Sequence, residues 1–532
     1  MEREVDIAVV GHGPVGQTLA GMLGRAGHRV AAFERFDEIY RLPRAVHIDH
    51  EIMRLLQARG LAGRLAEQMV PLREYRWFGA DGEELLTLTP EMPAKSGWEP
   101  DYLFFQPELE RALDGKCADD GVAVHRGWVA ERISDDEGGA TLTVRHHVEE
   151  VPGRLSPTEE TETVRARWVV GADGANSFVR EATGIGRRDL GFQERWLVVD
   201  AEPNDMAALA HLPIACQWCD PRRPTTHVQS GPRHRRWEFM LLPGEKPEDF
   251  DDPGRVWSLL EPWFKPEDGP LTRTAVYEFR SMLADEMRKG HALLVGDAAH
   301  LTPPFLGQGL CSGLRDAANL AWKLDLVLRG LASEELLDTV EVEREPQTEW
   351  VIGFAVELGK VLCELDPEAA AERDTTLRQA DAPPPLEFPP LSKGAIHTPS
   401  GEVPDPLAGT LSVQGVVAKD GREGRFDDVV GHGWSLIAAG GDPVDHLDDD
   451  DREVLRSLDV TVASLEPEAP GGVRDIDGRL TEWLRGHDAR AALIRPDFYV
   501  FGSVAAPDDL PSLVSDLRTQ LHLTTRSPIK ER

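Results

Sequence analysis

Glycine at positions 11, 13 and 16, in Gly11-His12-Gly13-Pro14-Val15-Gly16, is spaced to bring a backbone close enough to a pyrophosphate for its N–H groups to hold it. The run before it, Ile7 to Val10, is apolar and has the length of a buried parallel strand. Gln17 to Arg25 reads as the helix whose N-terminus faces the phosphates. A second apolar run, Val30 to Phe33, ends in Glu34-Arg35, at the distance where a carboxylate can hold a ribose 2′-hydroxyl. Strand, turn, helix and acid together point to an adenine dinucleotide.

Residues 296–325 decide which dinucleotide. The apolar run Ala292–Val295 suggests another buried strand, so Gly296-Asp297 at its end sets a carboxylate where a second ribose can bond. Pro303, Pro304, Gly307 and Gly309 then shape a loop opening a long amphipathic helix expected from Leu310 to Arg329. Aimed at an isoalloxazine, that helix N-terminus offers partial positive charge to the N1/O2 edge, where a reduced flavin carries its negative charge. NAD needs no such device. The expected cofactor is one non-covalent FAD, because no His or Cys stands in an attachment motif.

With Gly171-Ala172-Asp173-Gly174-Ala175-Asn176-Ser177-Phe178-Val179-Arg180, these motifs resemble the group A flavoprotein aromatic hydroxylases, the family of p-hydroxybenzoate hydroxylase, and most of all its 3-(3-hydroxyphenyl)propionate hydroxylase branch. The resemblance extends over residues 1–360. It implies an α/β fold: a Rossmann-like FAD domain, an interleaved antiparallel-sheet substrate domain and a C-terminal thioredoxin-like α/β domain. It also implies FAD, NADPH or NADH as co-substrate, and O₂, with a phenolic ring hydroxylated through a C4a-hydroperoxyflavin in aromatic-acid catabolism. By the same resemblance Arg44 contacts the FAD pyrophosphate, Gln106 contacts the cofactor, and Asp173 serves both flavin binding and hydride transfer. Leu310 and Cys311 stand where the family sets backbone N–H groups against the flavin. Asn is usual at the second position, so Cys311 is a departure.

The phenol must lose its proton, which calls for a base titrating near neutrality. His47, in the loop expected near the flavin ring, is the candidate catalytic base, with Asp49 the weaker one; Tyr102 and Tyr277 are candidates for a proton path. His300, after the Gly-Asp pair, reads as structural. Cys216-Gln217-Trp218-Cys219 has metal spacing, but no second pair accompanies it, and residues three apart on a strand point to opposite faces, so no metal site is expected.

These motifs divide the chain. Residues 1–70, 106–184 and 286–365 read as the FAD-binding domain, and 71–105 with 185–285 as the substrate domain. The acidic segment 146–162 reads as an exposed hairpin, and 366–406, with Pro383-Pro384-Pro385 and Pro389-Pro390, as a linker. Residues 407–532 alternate short apolar runs with helical stretches and contain no cysteine, so a redox role there is excluded and packing or assembly is expected.

Five cysteines in 532 residues suit a reducing cytoplasm rather than a disulfide scaffold. The opening Met-Glu-Arg-Glu does not read as a signal peptide, and no apolar run is long enough for a membrane span. The formal net charge of −35 argues against nucleic acid or anionic membrane as partner. The expected partner is a small phenol, an aryl carboxylate included, with a homo-oligomer allowed. Against that acidic field, Pro221–Trp237 holds arginines and no acid, so Arg233, Arg235 and Arg236, with Pro303, are candidates for capturing substrate or nicotinamide. A tailoring monooxygenase of a polyketide or antibiotic pathway would share every motif. A non-catalytic FAD-binding scaffold would keep the glycines without needing Asp173. A halogenase would need a Trp-x-Trp-x-x-Pro stretch, which does not occur.

Overall fold

The structure is a computed structural model describing residues 2–40, 43–151, 154–381, 386–399 and 404–524. Its first sheet is built on the strand Glu2–Val10, whose Ile7, Ala8 and Val9 are fully buried because helices cover one face and chain covers the other. It runs parallel to Val30–Glu34 on one side and to the end of Arg154–Gly171 on the other. Ala123–Arg126 and Ala292–Leu294 extend the parallel set outward. The carboxyl ends of Glu2–Val10, Val30–Glu34 and Arg154–Gly171 therefore open toward one crevice, the ligand side of such a sheet. The hairpin Gly139–Val151 with Arg154–Gly171 carries the acidic segment; Pro152 in it lies outside the described residues.

A second, eight-stranded sheet runs in the order His300–Leu301, Leu271–Ala284, Arg187–Ala201, His234–Met240, Thr225–Ser230, Ala215–Trp218, Tyr75–Phe78, Glu84–Leu88. All its pairings are antiparallel except that of Ala215–Trp218 with Tyr75–Phe78. Period-two alternation sorts its faces. Leu197, Val199, Trp237 and Phe239 enter a core with helix Pro253–Leu260, and their neighbours in sequence face the other way. A small sheet of His47–Asp49, Asp101–Leu103 and Val70–Leu72 closes the space between the two large ones.

The helix expected over 310–329 runs from Gly309 to Leu328, and its polar side, Ser312, Arg315, Asp316, Asn319 and Lys323, is covered rather than solvated: residues 311–324 are all buried. It lies beneath helix Glu335–Leu362 and against the C-terminal unit, so its charged residues Arg315, Asp316 and Lys323 are enclosed. They persist there because they are paired. Asp316 bonds His300 and Arg344, and Lys323 lies 2.9 Å from Glu343.

The expected linker is corrected in its first third. Residues Pro367–Gln379 form a helix, with Asp366 capping its N-terminus and Pro367 opening it. A run rich in Glu, Ala and Arg is a helix former wherever a cap starts it. Pro383-Pro384-Pro385 lie outside the described residues, as do 525–532.

The C-terminal unit holds a four-stranded sheet in the order Thr461–Ser464, Ser435–Ala438, Ala491–Ile494, Val500–Val504, the first pair parallel and the others antiparallel. Its attachment is polar and buried. Arg54 makes a two-pronged contact with Asp427, and Arg495 reaches Glu343 at 2.7 Å. The unit is thus continuous with the helices below the cavity, not an appendage. Among the described residues no helix is long and apolar enough to cross a membrane.

Candidate active site

The two large sheets and the helix Gly309–Leu328 enclose a cavity of about 1630 Å³. That exceeds the roughly 300–1,000 Å³ that suits one drug-sized ligand, so it has room for a dinucleotide and a second molecule. At one end stands the glycine turn. Gly11 has φ +94°, and a Cβ there would strike Ala172 O at 2.4 Å. A Cβ on Gly16 would meet Gly11 O at 2.2 Å, so Gly16 serves close strand–helix packing and does not itself line the cavity. Gly13 differs: nothing lies within 4 Å of its Cβ position, which leaves its backbone open to the cavity. Pro14 opens the helix Pro14–Arg25, and Val15 lines the cavity.

Glu34 lines the cavity at the tip of its strand and ties the turn together, accepting from the backbone N–H of His12 at 2.9 Å and of Phe36 at 3.1 Å. Arg35 and Arg44 are exposed on the same wall, Arg44 resting over the Tyr40 ring. Gln106 is buried, and its amide is committed. Its Oε1 accepts from the N–H of Arg44 and Ala45, and its Nε2 donates to Glu110. It holds the Arg44 segment in place from behind. Burial lifts the Glu110 carboxyl to about 7 against the pull of the Gln106 hydrogen bond and of Arg44.

Asp173 and Asp297 stand at two further strand ends and line the cavity. Asp173 Oδ2 accepts from Val179 N–H at 3.1 Å, whereas its Oδ1 is buried with no hydrogen-bond partner. Such a group calls for a donor that the protein itself does not supply. Gly296 packs against Val15 and Gly313 and lies off the cavity, a correction to its expected cofactor contact: its N–H is already given to Asp316.

The orphaned Asp173 oxygen, the open cradle at Gly13 and the carboxylates at successive strand ends fit FAD, with donors for phosphate at one end and acceptors for ribose hydroxyls at the others. Pro304, Gly307, Gly309 and Leu310 line the wall where the isoalloxazine would rest. Gly307 adopts φ +64°, and its Cβ position is filled by the His47 ring at 2.9 Å. Cys311 turns away: it is fully buried, with its thiol 3.9 Å from the His47 carbonyl, so its side chain does not line the cavity.

The expected bases do not stand free. His47 Nε2 lies 2.7 Å from Asp101 Oδ1 and its Nδ1 lies 3.2 Å from Gly307 O. Burial opposes protonation of His47, but Asp101 holds its pKa well above the ordinary histidine value. Both ring nitrogens of His47 already face acceptors of the protein, so neither is open to take the phenol's proton. Asp49 caps the helix His50–Ala58 and pairs with Arg315 at 2.5 Å. Burial works to raise its pKa, yet Arg315 and the neighbouring histidines hold the carboxyl far below the carboxylate range. It is a cap, not a base. Tyr102 is buried in a core, whereas Tyr277 lines the cavity beneath the Arg273 guanidinium. His300 is buried on Asp316, as a structural residue would be.

The arginine cluster is corrected too. Arg235 and Arg236 are 3% and 2% exposed and sit on opposite faces of their strand. Arg235 is buried beside His227 and donates to the carbonyl of Pro213. Arg236 lines the cavity but is spent on Asp200 at 2.7 Å and on the carbonyls of Pro43 and Arg44. Only Arg233 is exposed, and Pro303 is buried off the cavity. The physical reason is strand pairing: Arg235 and Arg236 occupy registered positions against Ala201 and Asp200 in mid-sheet, not a loop.

Residues absent from the sequence reasoning form the far wall. Val198, Glu238, Thr226, Gln217 and Trp77 stand side by side across five strands, all facing the cavity. Thr226 donates to Gln217 Oε1 at 2.5 Å, and Tyr75 lines the cavity two residues from Trp77. Burial raises the Glu238 carboxyl although Arg236 lies 3.6 Å away. Alternation in Arg236-Trp237-Glu238-Phe239 was the signal available, because two aromatics bound for a core force the charged pair to the opposite face.

Residues 4–355 match the family described as FAD binding domain, and 409–520 match the HcaD C-terminal domain. The chain is 37% identical over 525 residues to a probable NADH-specific resorcinol 4-hydroxylase of Rhodococcus jostii, covering 97% of this chain and 95% of that protein. It is 33% identical to a 3-(3-hydroxy-phenyl)propionate/3-hydroxycinnamic acid hydroxylase of Mycolicibacterium gilvum, covering 98% and 93%. Among solved structures, the flavin-dependent monooxygenase PieE with FAD and substrate superposes with a TM-score of 0.81 at 22% identity, covering 98% and 99%. Aklavinone-11 hydroxylase with FAD and aklavinone does so at 0.78 and 26%, again covering 98% and 99%.

Proposed function

Because the chain belongs to the FAD binding domain family of aromatic hydroxylases, we propose that its cavity hydroxylates a small single-ring phenol at the expense of NADH. The activity is the family's: an FAD-dependent monooxygenase that consumes NAD(P)H and O₂ and hydroxylates a phenolic ring. The observation that carries the finer reading is the continuity of one cavity from Gly13 to the polar row Glu238–Thr226–Gln217, with the unpartnered Asp173 oxygen between. The R. jostii relative, named for resorcinol and NADH, supports both substrate size and reductant.

FAD, when bound, supplies hydride acceptance from NAD(P)H and activation of O₂. The turn Gly11–Gly16, Glu34, Arg44, Asp173 and Asp297 are the residues that would hold it. The N-terminus of Gly309–Leu328 directs its partial positive charge at whatever occupies the wall at Leu310. Val198, Val228, Leu103 and Phe305 give the substrate end apolar walls that keep water from the reacting ring. His47, held between Asp101 and Gly307, fixes the loop rather than serving as a base. The mixed, cysteine-free sheet of the C-terminal unit supports reading it as a thioredoxin-like scaffold without dithiol chemistry.

A tailoring role on a larger polycyclic substrate is the second reading, favoured by the cavity volume and by the likeness to the aklavinone complex. Anaerobic reduction of the bound flavin by NADH, with and without resorcinol or a polycyclic phenol, separates the two. Acceleration by the small phenol supports the first reading, and acceleration by the polycycle alone supports the second. A flavin that NADH never reduces, whatever the phenol, would mean a non-catalytic scaffold.

A further inference from the structure

One guanidinium on the sheet wall of the cavity is short of acceptors. Arg273 is 6% exposed and lines the cavity, with its guanidinium 4.5 Å over the Tyr277 ring. Among the described residues its hydrogen bonds are all made by Nη1, to the Pro43 carbonyl and, at 3.5 Å, to Asp200 Oδ2. Asp200 is itself committed to Arg236 at 2.7 Å. Arg273 Nε is buried with no partner, and Nη2 has none among the described residues, so the Nε–Nη2 edge is left as an open two-donor fork. Burial pulls the Arg273 pKa below the ordinary arginine value, against the opposing pull of Tyr277 and Asp200. A buried cation with that deficit calls for an acceptor that the protein does not supply. Arg44, which lines the same cavity with no ion pair among the described residues, adds to the positive field there.

Strand register places this fork. Arg273, Asp200, Arg236 and Val228 form one row across four strands, and Ala275, Val198, Glu238 and Thr226 form the next. Same-face neighbours on a strand are two residues, about 6.6 Å, apart. A phenol ring lying over the Val198–Glu238–Thr226 row therefore brings a carboxylate on a two-carbon side chain up to Arg273. A guanidinium edge holds a carboxylate through two parallel N–H···O bonds, a pairing that an uncharged ring substituent does not offer.

We propose that Arg273 is the anion-binding residue of the substrate site, its Nε–Nη2 edge receiving the carboxylate of a phenol that carries a short acid side chain. The proposal rests on the phenol-hydroxylase reading and deepens it by naming the substrate class. The pyrophosphate of NADH offers the same oxyanion chemistry, and the experiment separates the two sources.

The test uses the FAD-loaded enzyme with 3-(3-hydroxyphenyl)propionate and its uncharged amide, two probes that differ in charge at the end of one side chain. Dissociation constants come from perturbation of the flavin absorbance without NADH, and KM for NADH from its oxidation. The wild type is expected to bind the acid at least about tenfold more tightly than the amide. Arg273→Gln should weaken the acid about ten- to a hundredfold, change the amide less than about threefold and leave KM for NADH within the same limit. Arg273→Lys, which keeps the charge but not the fork, should fall between, and it reports independently if Arg273→Gln fails to hold FAD. Wild-type affinities for acid and amide within about threefold would overturn the proposal, as would an acid-to-amide ratio that neither variant changes. A raised KM for NADH with that ratio intact would assign the fork to the reductant instead and overturn it too. If resorcinol perturbs the flavin and neither arylpropionyl probe does, the proposal falls while the hydroxylase reading stands. If no phenol perturbs the flavin or accelerates NADH oxidation, the hydroxylase reading falls and the proposal with it.

Discussion

Arg495 Nη2 lies 2.7 Å from Glu343 Oε2, and both side chains are completely buried. One belongs to the C-terminal unit and the other to the helix Glu335–Leu362, and the same carboxylate is shared with Lys323 on the helix that begins at the cavity wall. The C-terminal unit is therefore wired to the helix that faces the cofactor site. Packing, expected of residues 407–532 from their lack of cysteine, thus includes packing against the helix that opens at the cavity.

Arg495→Ala should leave Glu343 buried with one cation where two stood. Breaking such a pair costs about 3–5 kcal/mol. Thermal unfolding of the holoenzyme checks it. A Tm within a degree of wild type would mean water replaces the guanidinium.

Glu34→Ala should weaken FAD binding about ten- to a hundredfold, by loss of a charge-assisted hydrogen bond worth roughly 1.5–3 kcal/mol. The carboxylate also holds the N–H groups of His12 and Phe36, so the turn loosens as well. Recovery of flavin fluorescence on dilution gives the dissociation constant.

Glu110 gives a pH dependence whose sign can be worked out. Its carboxyl titrates at about 7 in the fold against an ordinary value of 4.5, so the folded state holds the proton more tightly than the unfolded chain. The stabilisation is fully present below the unfolded value and is lost as pH rises through about 7, a matter of a few kcal/mol. Melting of the apoprotein should therefore fall with pH between about 5 and 8 more steeply in wild type than in Glu110→Gln. Parallel curves for the two proteins would refute the assignment.

The cofactor-facing helix end can be probed at Leu310, which lines the cavity. Ser312, two residues further on, is buried and gives its carbonyl to the Arg344 guanidinium, so an acid there would disturb packing instead. Leu310→Asp should lower the flavin reduction potential by roughly 10–20 mV, from a helix-terminus effect of about 0.3–1 kcal/mol over two electrons. Redox titration measures it; an unchanged potential with FAD bound would mean the helix does not face the flavin.

The buried arginines separate from the exposed one. Arg233→Gln should change stability by no more than about 0.5 kcal/mol, as a surface substitution does. Arg236→Gln should cost about 3–5 kcal/mol, because Asp200 stays buried with its main partner gone. Denaturant midpoints for the two variants decide it, and equal midpoints would return the cluster to the surface.

Much of this protein was legible in its residues. Gly11, Gly13 and Gly16 specify their turn through steric requirements a single sequence displays, and Glu34, Asp173 and Asp297 sit at strand ends that apolar runs announce. The strands 435–438, 461–464 and 491–494 coincide within a residue with the apolar runs Ser435–Ala438, Val460–Ala463 and Ala491–Ile494 of the sequence. Local composition misled where a helix start lay inside a polar stretch, at Asp366-Pro367.

What the chain order alone determined was the dinucleotide turn, the carboxylates at strand ends and the absence of cysteine from the C-terminal unit, because each depends on a residue and its near neighbours. What only the tertiary structure decided was the protonation and availability of the polar groups. His47 meets Asp101 across 54 positions, Asp49 meets Arg315 across 266, and Arg236 meets Asp200 across a pair of strands. Whether a charge is a base, a cap, a paired wall or a free patch depends on its burial and its partner. Spacing along the chain does not carry either; both arise when distant segments are brought into register and water is removed between them.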